Sequence, residues 1–403
     1  MVLFFMSNSS ARLHGLDVLR GVAMILGVFL HGAIAYKKGY HVGNWVFDAP
    51  SSSWFFDGLY LWINSFRMQL FFLLAGFFTR LLIRKIGLWE FAKNRFRRIG
   101  IPFFLAYFTI LPLTLIPYLY AEYQAAGQEP WSHLREFMIA FFTMRAHAGI
   151  MHLWFLEHLI VYYSLAIGVL FVVGRARGQS TVHPDASGQA GPQSTVNTVR
   201  HPAVNVFSVL AVTTVVAGGI TLLFNAPLPS IWPGLFIPPS QFLYYCFFFV
   251  LGFILEGHRE LFGSFNRVYK PFLLAGSLLS ILTLYIVNMY GEALPPLSSP
   301  IILLKFIFAL QSMLLVIGFI GLFNAVFREP SPFWKYIADA AYWVYLIHMP
   351  VVLTTQLLLR DSVVPGILRF PVVITVTLAI CFISYHYLVR YTWVGALLNG
   401  KRN

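Results

Sequence analysis

Apolar residues in this chain come in long unbroken blocks, not in the narrow stripes of a water-soluble domain. A hydrocarbon layer about 30 Å thick, climbed at about 1.5 Å per residue, takes about 20 such residues to cross as a helix. Ten blocks approach that length: 16–36, 57–79, 100–120, 151–174, 205–225, 239–256, 271–290, 301–325, 338–358 and 367–388. The pattern predicts an all-α fold, a polytopic bundle of about ten transmembrane helices forming one membrane-embedded domain over residues 1–403. The block at 239–256 has the weakest boundary, because Pro238 and Pro239 stand at the start of a short span. Residues 132–147 are apolar on one face but carry Arg135, Glu136, Arg145 and His147, which reads as a helix lying in the interface. Residues 176–203, rich in Gly, Ser, Gln, Thr and Pro, read as a flexible cytoplasmic linker between two halves of the bundle. No internal repeat is visible, which counts against the inverted-repeat transporter folds.

Composition agrees with the block pattern. Of the 403 residues, 58% are hydrophobic and 11% charged, with 40 phenylalanines and a mean hydropathy of +0.72. A soluble domain carries roughly 25% charged residues, so the apolar excess here must face lipid. The net charge of +13 could serve nucleic acid, but the basic residues lie between the apolar blocks. With the N-terminus inside, most of the 28 lysines and arginines fall on cytoplasmic loops or span ends, as the positive-inside tendency requires. Both termini are therefore expected in the cytoplasm, with the lipid bilayer as partner, no nucleic acid, and the bacterial inner membrane as location. Cys246 and Cys381 both lie in apolar blocks, which argues against a disulfide framework. Val2 to Met6 lack a charged n-region, so the first helix is expected to stay as an anchor.

Polar residues inside such blocks are costly, and each is a functional candidate. In the first block, Asp17 and Arg20 precede His31. Eleven helical steps end about 20° beyond three full turns, so Arg20 and His31 share a face roughly 16 Å apart along the axis. Asp17, three residues before Arg20, can pair with it. One reading gives a division of labour: a guanidinium at the inner boundary holds an anionic donor, and a deep imidazole acts as general base for the acceptor. The other reading makes Arg20 a topology anchor and His31 a helix contact. In the second block, Arg67 lies too deep to snorkel and calls for an anionic partner, either a substrate or a structural ion pair with Glu157 or Asp339. Gln69 follows it, and Ala75-Gly76 would allow close helix approach. The stretch Lys93-Asn94-Arg95-Phe96-Arg97-Arg98 reads as topology signal or as a phosphate clamp through Arg95, Arg97 and Arg98. The fourth block opens with His152, Trp154, Glu157 and His158, and the ninth holds Tyr342, Tyr345 and His348. Two histidines on separate helices raise a metal, but no His-x-x-x-His, Cys-x-x-Cys or carboxylate cluster accompanies them, so no metal is expected. No Gly-x-Ser-x-Gly elbow is present, so any acyl transfer would be a direct attack by the acceptor hydroxyl.

In chain order these features resemble the acyltransferase 3 family of polytopic membrane acyltransferases. The resemblance rests on Asp17 and Arg20 with His31 beyond them, Phe71-Phe72-Leu73-Leu74-Ala75-Gly76-Phe77, the Arg95 to Pro102 stretch, His152-Leu153-Trp154-Phe155-Leu156 and Tyr345-Leu346-Ile347-His348. The family usually has Ser where Ala75 stands, so a role for that hydroxyl is absent here. Ser65 to Gln69 running into Phe71-Phe72, with Arg98-Ile99-Gly100-Ile101-Pro102 downstream, is most similar to the family's glucan biosynthesis C subgroup, which succinylates periplasmic osmoregulated glucans. The resemblance implies an acyl-CoA donor from the cytoplasm (succinyl-CoA or acetyl-CoA), a glycan hydroxyl as acceptor, His31 as base and Arg20 as its partner on the donor side. Arg67 is assigned by its depth in the second block instead, to hold a negatively charged acyl group such as succinyl. Gln69, His152, Trp154, Glu157 and His348 are the further candidates for substrate contact. A proton-coupled transporter or flippase is the competing class, with Arg67, Glu157 and His348 as relay residues.

Overall fold

The fold is that of a computed structural model, which describes residues 7–39, 45–142, 149–176, 205–232, 234, 236–290 and 294–399. Every regular element among them is helical: α1 (Ser7–Ile34), α2 (Trp54–Asn64), α3 (Arg67–Ile86), α4 (Leu88–Arg95), α5 (Ile101–Ala125), α6 (Pro130–Phe142), α7 (Trp154–Ala176), α8 (Val206–Thr221), α9 (Pro239–Glu256), α10 (Leu261–Tyr290), α11 (Ser299–Val326), α12 (Pro332–Arg360), α13 (Gly366–Ser384) and α14 (Trp393–Asn399). One-turn π-helices at Phe96–Gly100 and Tyr385–Val389 join α4 to α5 and extend α13, and a 3₁₀ turn at Met151–Leu153 leads into α7. Among the described residues nine stretches are long and apolar enough to cross a membrane, and α8 is a shorter apolar helix. Together they account for all ten apolar blocks, the short one at 239–256 included. The helix expected over 132–147 forms as α6, and its remaining residues from 143 on, Arg145 and His147 among them, lie outside the described residues. So do the linker, apart from Ala176, and the apolar start at Val2 to Met6.

Local chemistry sets several boundaries. The Ser53 side chain accepts the Phe55 amide at the start of α2, and Asn205 accepts that of Phe207 at the start of α8, each satisfying an orphan helix donor. At α6 the Ser132 amide, the Ser132 side chain and the Trp131 amide hold the Glu129 carboxyl below its usual range. Gly87, at φ 79° between α3 and α4, takes a left-handed conformation that a side chain would strain.

The second block is not one helix. The backbone leaves helical geometry at Phe66 (φ −130°, ψ −26°), and α3 restarts at Arg67. Ser65 Oγ donates to the Trp62 carbonyl at 2.9 Å, a local bond that competes with the helical ladder. An apolar run from Trp54 to Ile86 thus contains an internal helix N-terminus, with Arg67 on its first turn.

In lipid, helices associate through packing and polar contacts, because hydrocarbon solvates them as well as they solvate each other. Close backbone approach is the main device here. A Cβ on Gly76 would run into the Phe249 carbonyl, and one on Gly252 into the Leu73 carbonyl, so α3 and α9 touch reciprocally through glycines. Glu256, 3% exposed at the end of α9, receives Arg80 at 3.2 Å, Arg84 at 3.0 Å and Arg259 at 2.6 Å. Helices α1 and α12 run parallel: Gly21 packs on Ala338, and the His31 ring on His348. Beyond α12, Arg369 pairs with buried Asp48 at 2.7 Å and also donates to the Arg360, Ser362 and Val364 carbonyls. That clasp fixes the segment following α1 against the turn following α12.

Candidate active site

Four elements converge on one cavity of about 20 Å³, lined by Met24, His31, Arg67, Met68, Phe71, His152, Trp154, Phe155, Tyr345 and His348. That volume has room for about one water-sized group. Met24 and His31 come from one face of α1, Arg67, Met68 and Phe71 from the restarted helix α3, His152, Trp154 and Phe155 from the 3₁₀ turn and the head of α7, and Tyr345 and His348 from α12. The turn itself is strained, with Met151 at φ 47°, a conformation that costs a non-glycine residue about 1–3 kcal/mol. It sets His152 inward, where the Tyr345 hydroxyl donates to the His152 carbonyl at 2.7 Å and His152 Nε2 meets the Leu346 carbonyl at 3.0 Å.

The three imidazoles form a string. His31 and His348 have ring centroids 5.3 Å apart, and His348 and His152 are 5.7 Å apart. His31 occupies the last turn of α1, so its cover comes from the chain beyond. The Trp45 indole stacks on it, with centroids 5.8 Å apart and planes at 14°. Gln356 holds this lid: it accepts the Trp45 Nε1–H at 2.9 Å and donates to the His31 and Gly32 carbonyls at 3.3 and 3.0 Å.

Arg67 is 8% exposed and makes no ion pair among the described residues, so neither Glu157 nor Asp339 neutralises it. The titratable groups near it are the phenols of Tyr345, Tyr245 and Tyr60 and the imidazoles of His31 and His348. The guanidinium fits because α1 carries glycine where it passes: a Cβ on Gly27 would collide with Arg67 Nη1. A buried cation at a helix N-terminus, whose first-turn amides add positive potential, favours a negative charge beside it.

The remaining candidates divide into two groups. Arg20 pairs with Asp17 at 3.3 Å and lies over the Phe78 ring of α3, while His31 shares its cavity with other α3 residues. Both groups therefore turn toward α3. Arg20 and Arg95 are each close enough for their charges to act on Arg98. Arg95 lies against Phe91 and Tyr163, and the Arg98 carbonyl accepts the Tyr342 hydroxyl at 3.0 Å. Arg97 is exposed. Three of the four arginines thus gather at one end of the bundle, and Tyr342, Tyr345 and His348 form a row of rings along α12 toward the cavity, with centroids 6.3 and 6.4 Å apart. Gln69 and Glu157 do not line the cavity. Gln69 donates to the Tyr244 hydroxyl of α9 at 3.2 Å, and Glu157 is half-buried beside the turn. His158 is likewise a packing group, bonded to the Trp154 carbonyl and to Gln241.

The site lies inside a recognisable domain: an acyltransferase domain matches residues 13–386, from α1 through to the π-helix after α13. This chain belongs to the acyltransferase 3 family. It is 24% identical to the glucans biosynthesis protein C of Salmonella paratyphi B (strain ATCC BAA-1250 / SPB7) over 98% of this chain and 96% of that protein. The Salmonella dublin protein of the same name matches equally, and that of Salmonella schwarzengrund (strain CVM19633) is 23% identical over the same shares. No solved structure matches the chain. As an acyltransferase 3 protein with its domain spread over the whole bundle, it is a multi-pass membrane acyltransferase. Among the described residues, no group of three or more His, Cys, Asp or Glu side chains is placed to hold a metal ion.

Sequence reading missed Gly27, Trp45, Gln356 and the helix break. Gly27 had a signal, since it precedes His31 by four residues and so shares its face. Asn64-Ser65 before the Phe-rich run hinted at the break. Nothing local marks Trp45 or Gln356, which meet across most of the chain.

Proposed function

We propose that this protein is an O-acyltransferase of the bacterial inner membrane that moves a succinyl or acetyl group from cytoplasmic acyl-CoA to a hydroxyl of a periplasmic or cell-surface glycan. The observation that carries this reading is a buried arginine without an acidic partner, set among three histidines inside an acyltransferase domain. The chain's likeness to glucans biosynthesis proteins along nearly its full length supports a glycan acceptor. The net positive charge between spans supports cytoplasmic termini, with Arg20, Arg95 and Arg98 facing the donor side. There they meet the phosphates of coenzyme A, and Asp17 orients Arg20. The pantetheine arm follows α12 past Tyr342 and Tyr345, and the thioester reaches the cavity.

The chemistry is a direct transfer. His31 takes the proton of the acceptor hydroxyl as its oxygen attacks the thioester carbonyl carbon. The tetrahedral intermediate carries its negative charge beside Arg67 and the first-turn amides of α3, the kind of fixed positive field that lowers such barriers most. Collapse breaks the carbon–sulfur bond, and the thiolate leaves with the proton that His31 had held. A succinyl carboxylate gains a second interaction with Arg67 that acetyl lacks.

The test is purified protein with ¹⁴C-labelled succinyl-CoA or acetyl-CoA and a glucan acceptor. Label is expected to become alkali-labile on the sugar, and Arg67→Leu is expected to lose succinyl transfer more than acetyl transfer. Equal losses would leave Arg67 with no part in reading the acyl group. Passage of glucan across the bilayer without covalent label would mark a transporter.

A further inference from the structure

The hydrogen bonds of the two histidines facing His31 fix their tautomers. His348 Nδ1 lies 3.0 Å from the Val344 carbonyl and 2.8 Å from the Tyr345 carbonyl. Carbonyl oxygens only accept, so in neutral His348 the proton is on Nδ1 and Nε2 presents a bare lone pair. The same reasoning puts the His152 proton on Nε2, toward the Leu346 carbonyl, so Nδ1 is its bare nitrogen. His152 therefore has no ring proton to offer His348. His348 Nε2 is buried with no partner among the described residues, and so is Nδ1 of the adjacent His31. Two such nitrogens on neighbouring rings, one of them able only to accept, form an incomplete pair. Both residues line the same water-sized cavity.

We propose that His348 is a positioning residue that accepts, through one water molecule in the cavity, the hydrogen bond that His31 Nδ1–H donates. This pairing holds His31 in the tautomer whose Nε2 is free to act as base. The inference rests on the reading of His31 as the base and deepens it. In the transfer, the acceptor hydroxyl gives its proton to His31 Nε2 as the new carbon–oxygen bond forms. His31 is then an imidazolium whose Nδ1–H still points to His348 Nε2. The carbon–sulfur bond breaks and the Nε2 proton passes to the leaving thiolate, which restores neutral His31 and releases free coenzyme A. His348 never holds the transferred proton. It does for His31 what an orienting acceptor does for any catalytic imidazole, with two backbone carbonyls fixing its own direction. Arg67 Nε–H, a second buried donor without a partner on the same cavity, is the competing source of a hydrogen for His348, and the experiment separates the two.

The experiment is ¹⁵N NMR of histidine-labelled protein in lipid nanodiscs, with the His31 signals assigned by their loss in His31→Gln. The wild type is expected to show His31 protonated at Nδ1 and bare at Nε2. His348→Gln, which keeps an acceptor oxygen, is expected to retain that state and most of the activity. His348→Phe is expected to lose the tautomer preference, with kcat falling on the order of a hundredfold and KM for the donor unchanged. A His31 carrying its proton on Nε2 in the wild type would overturn the pairing, even if His348→Phe failed to fold. An unchanged His31 tautomer in folded His348→Phe would overturn it as well, and leave Arg67 as the donor. Because the NMR readout needs no turnover, the pairing is tested separately from the assignment of His31 as base, which stands or falls on the activity of His31→Ala.

Discussion

Gly27 contributes to the site by what it lacks. Arg67 reaches the cavity only because α1 presents bare backbone where the guanidinium passes. Gly27→Ala would place a methyl group into that path and push the cation aside, and misplacing a reacting group by about 1 Å can cost on the order of a hundredfold in rate. The expected outcome is a loss of transfer of that order with little change in thermal stability, compared with Gly219→Ala, where a Cβ meets nothing within 4 Å. Equal activity in the two variants would mean that Arg67 tolerates displacement. The residue scale was also the most legible in sequence. His31, Arg67, His152 and His348 stand out because polar groups in apolar blocks need a reason to be there, Trp154 enters through the family resemblance, and all five line the cavity. Gln69 and Glu157 met the same criterion yet do not line it. Sequence position does not reveal which side of α3 or α7 meets a polar neighbour such as Tyr244.

At the scale of elements, the site depends on two discontinuities and one clasp. The break at Ser65-Phe66 turns an ordinary span into a helix that starts inside the apolar layer, and the strained turn at Met151 sets His152. Asn64-Ser65 hints at the first and nothing local marks the second, because long apolar runs carry little periodic contrast to show where a ladder is interrupted. The close seam of α3 on α9, by contrast, was foreshadowed by Ala75-Gly76. The clasp is Arg369 with Asp48, both largely buried. Removing one partner of a buried pair strands the other charge and costs about 3–5 kcal/mol. Arg369→Leu is therefore expected to lower the melting temperature of the detergent-solubilised protein markedly, and Asp48→Asn with Arg369→Leu to recover much of the loss. A single variant as stable as wild type would show that Asp48 finds another partner. This clasp lies beside the segment carrying Trp45, so a loosened loop is also expected to reduce activity below the melting transition.

Across the whole molecule, all ten apolar blocks fall on helices, the second of them on two, since the length needed to cross a bilayer is a strict physical demand. Orientation rests on the distribution of lysine and arginine along the sequence. How distant helices assemble is not legible: α1, α3, α7 and α12 meet through contacts separated by as much as 325 residues, as in the bonds of Gln356 to Trp45 and His31. The 176–203 segment is expected from its composition to serve as a tether, so deleting 180–198 should leave acyl transfer within about twofold of wild type, the tether entropy changing little with length. Complete inactivation would place a functional group in that stretch. The whole account depends on one imidazole removing one proton. The most direct measurement is labelled acyl transfer to glucan by His31→Ala, purified alongside the wild type and matched to it in membrane insertion and melting temperature. The account predicts label on the sugar with the wild type and none above background with the variant; transfer by the variant at the wild-type rate would contradict it.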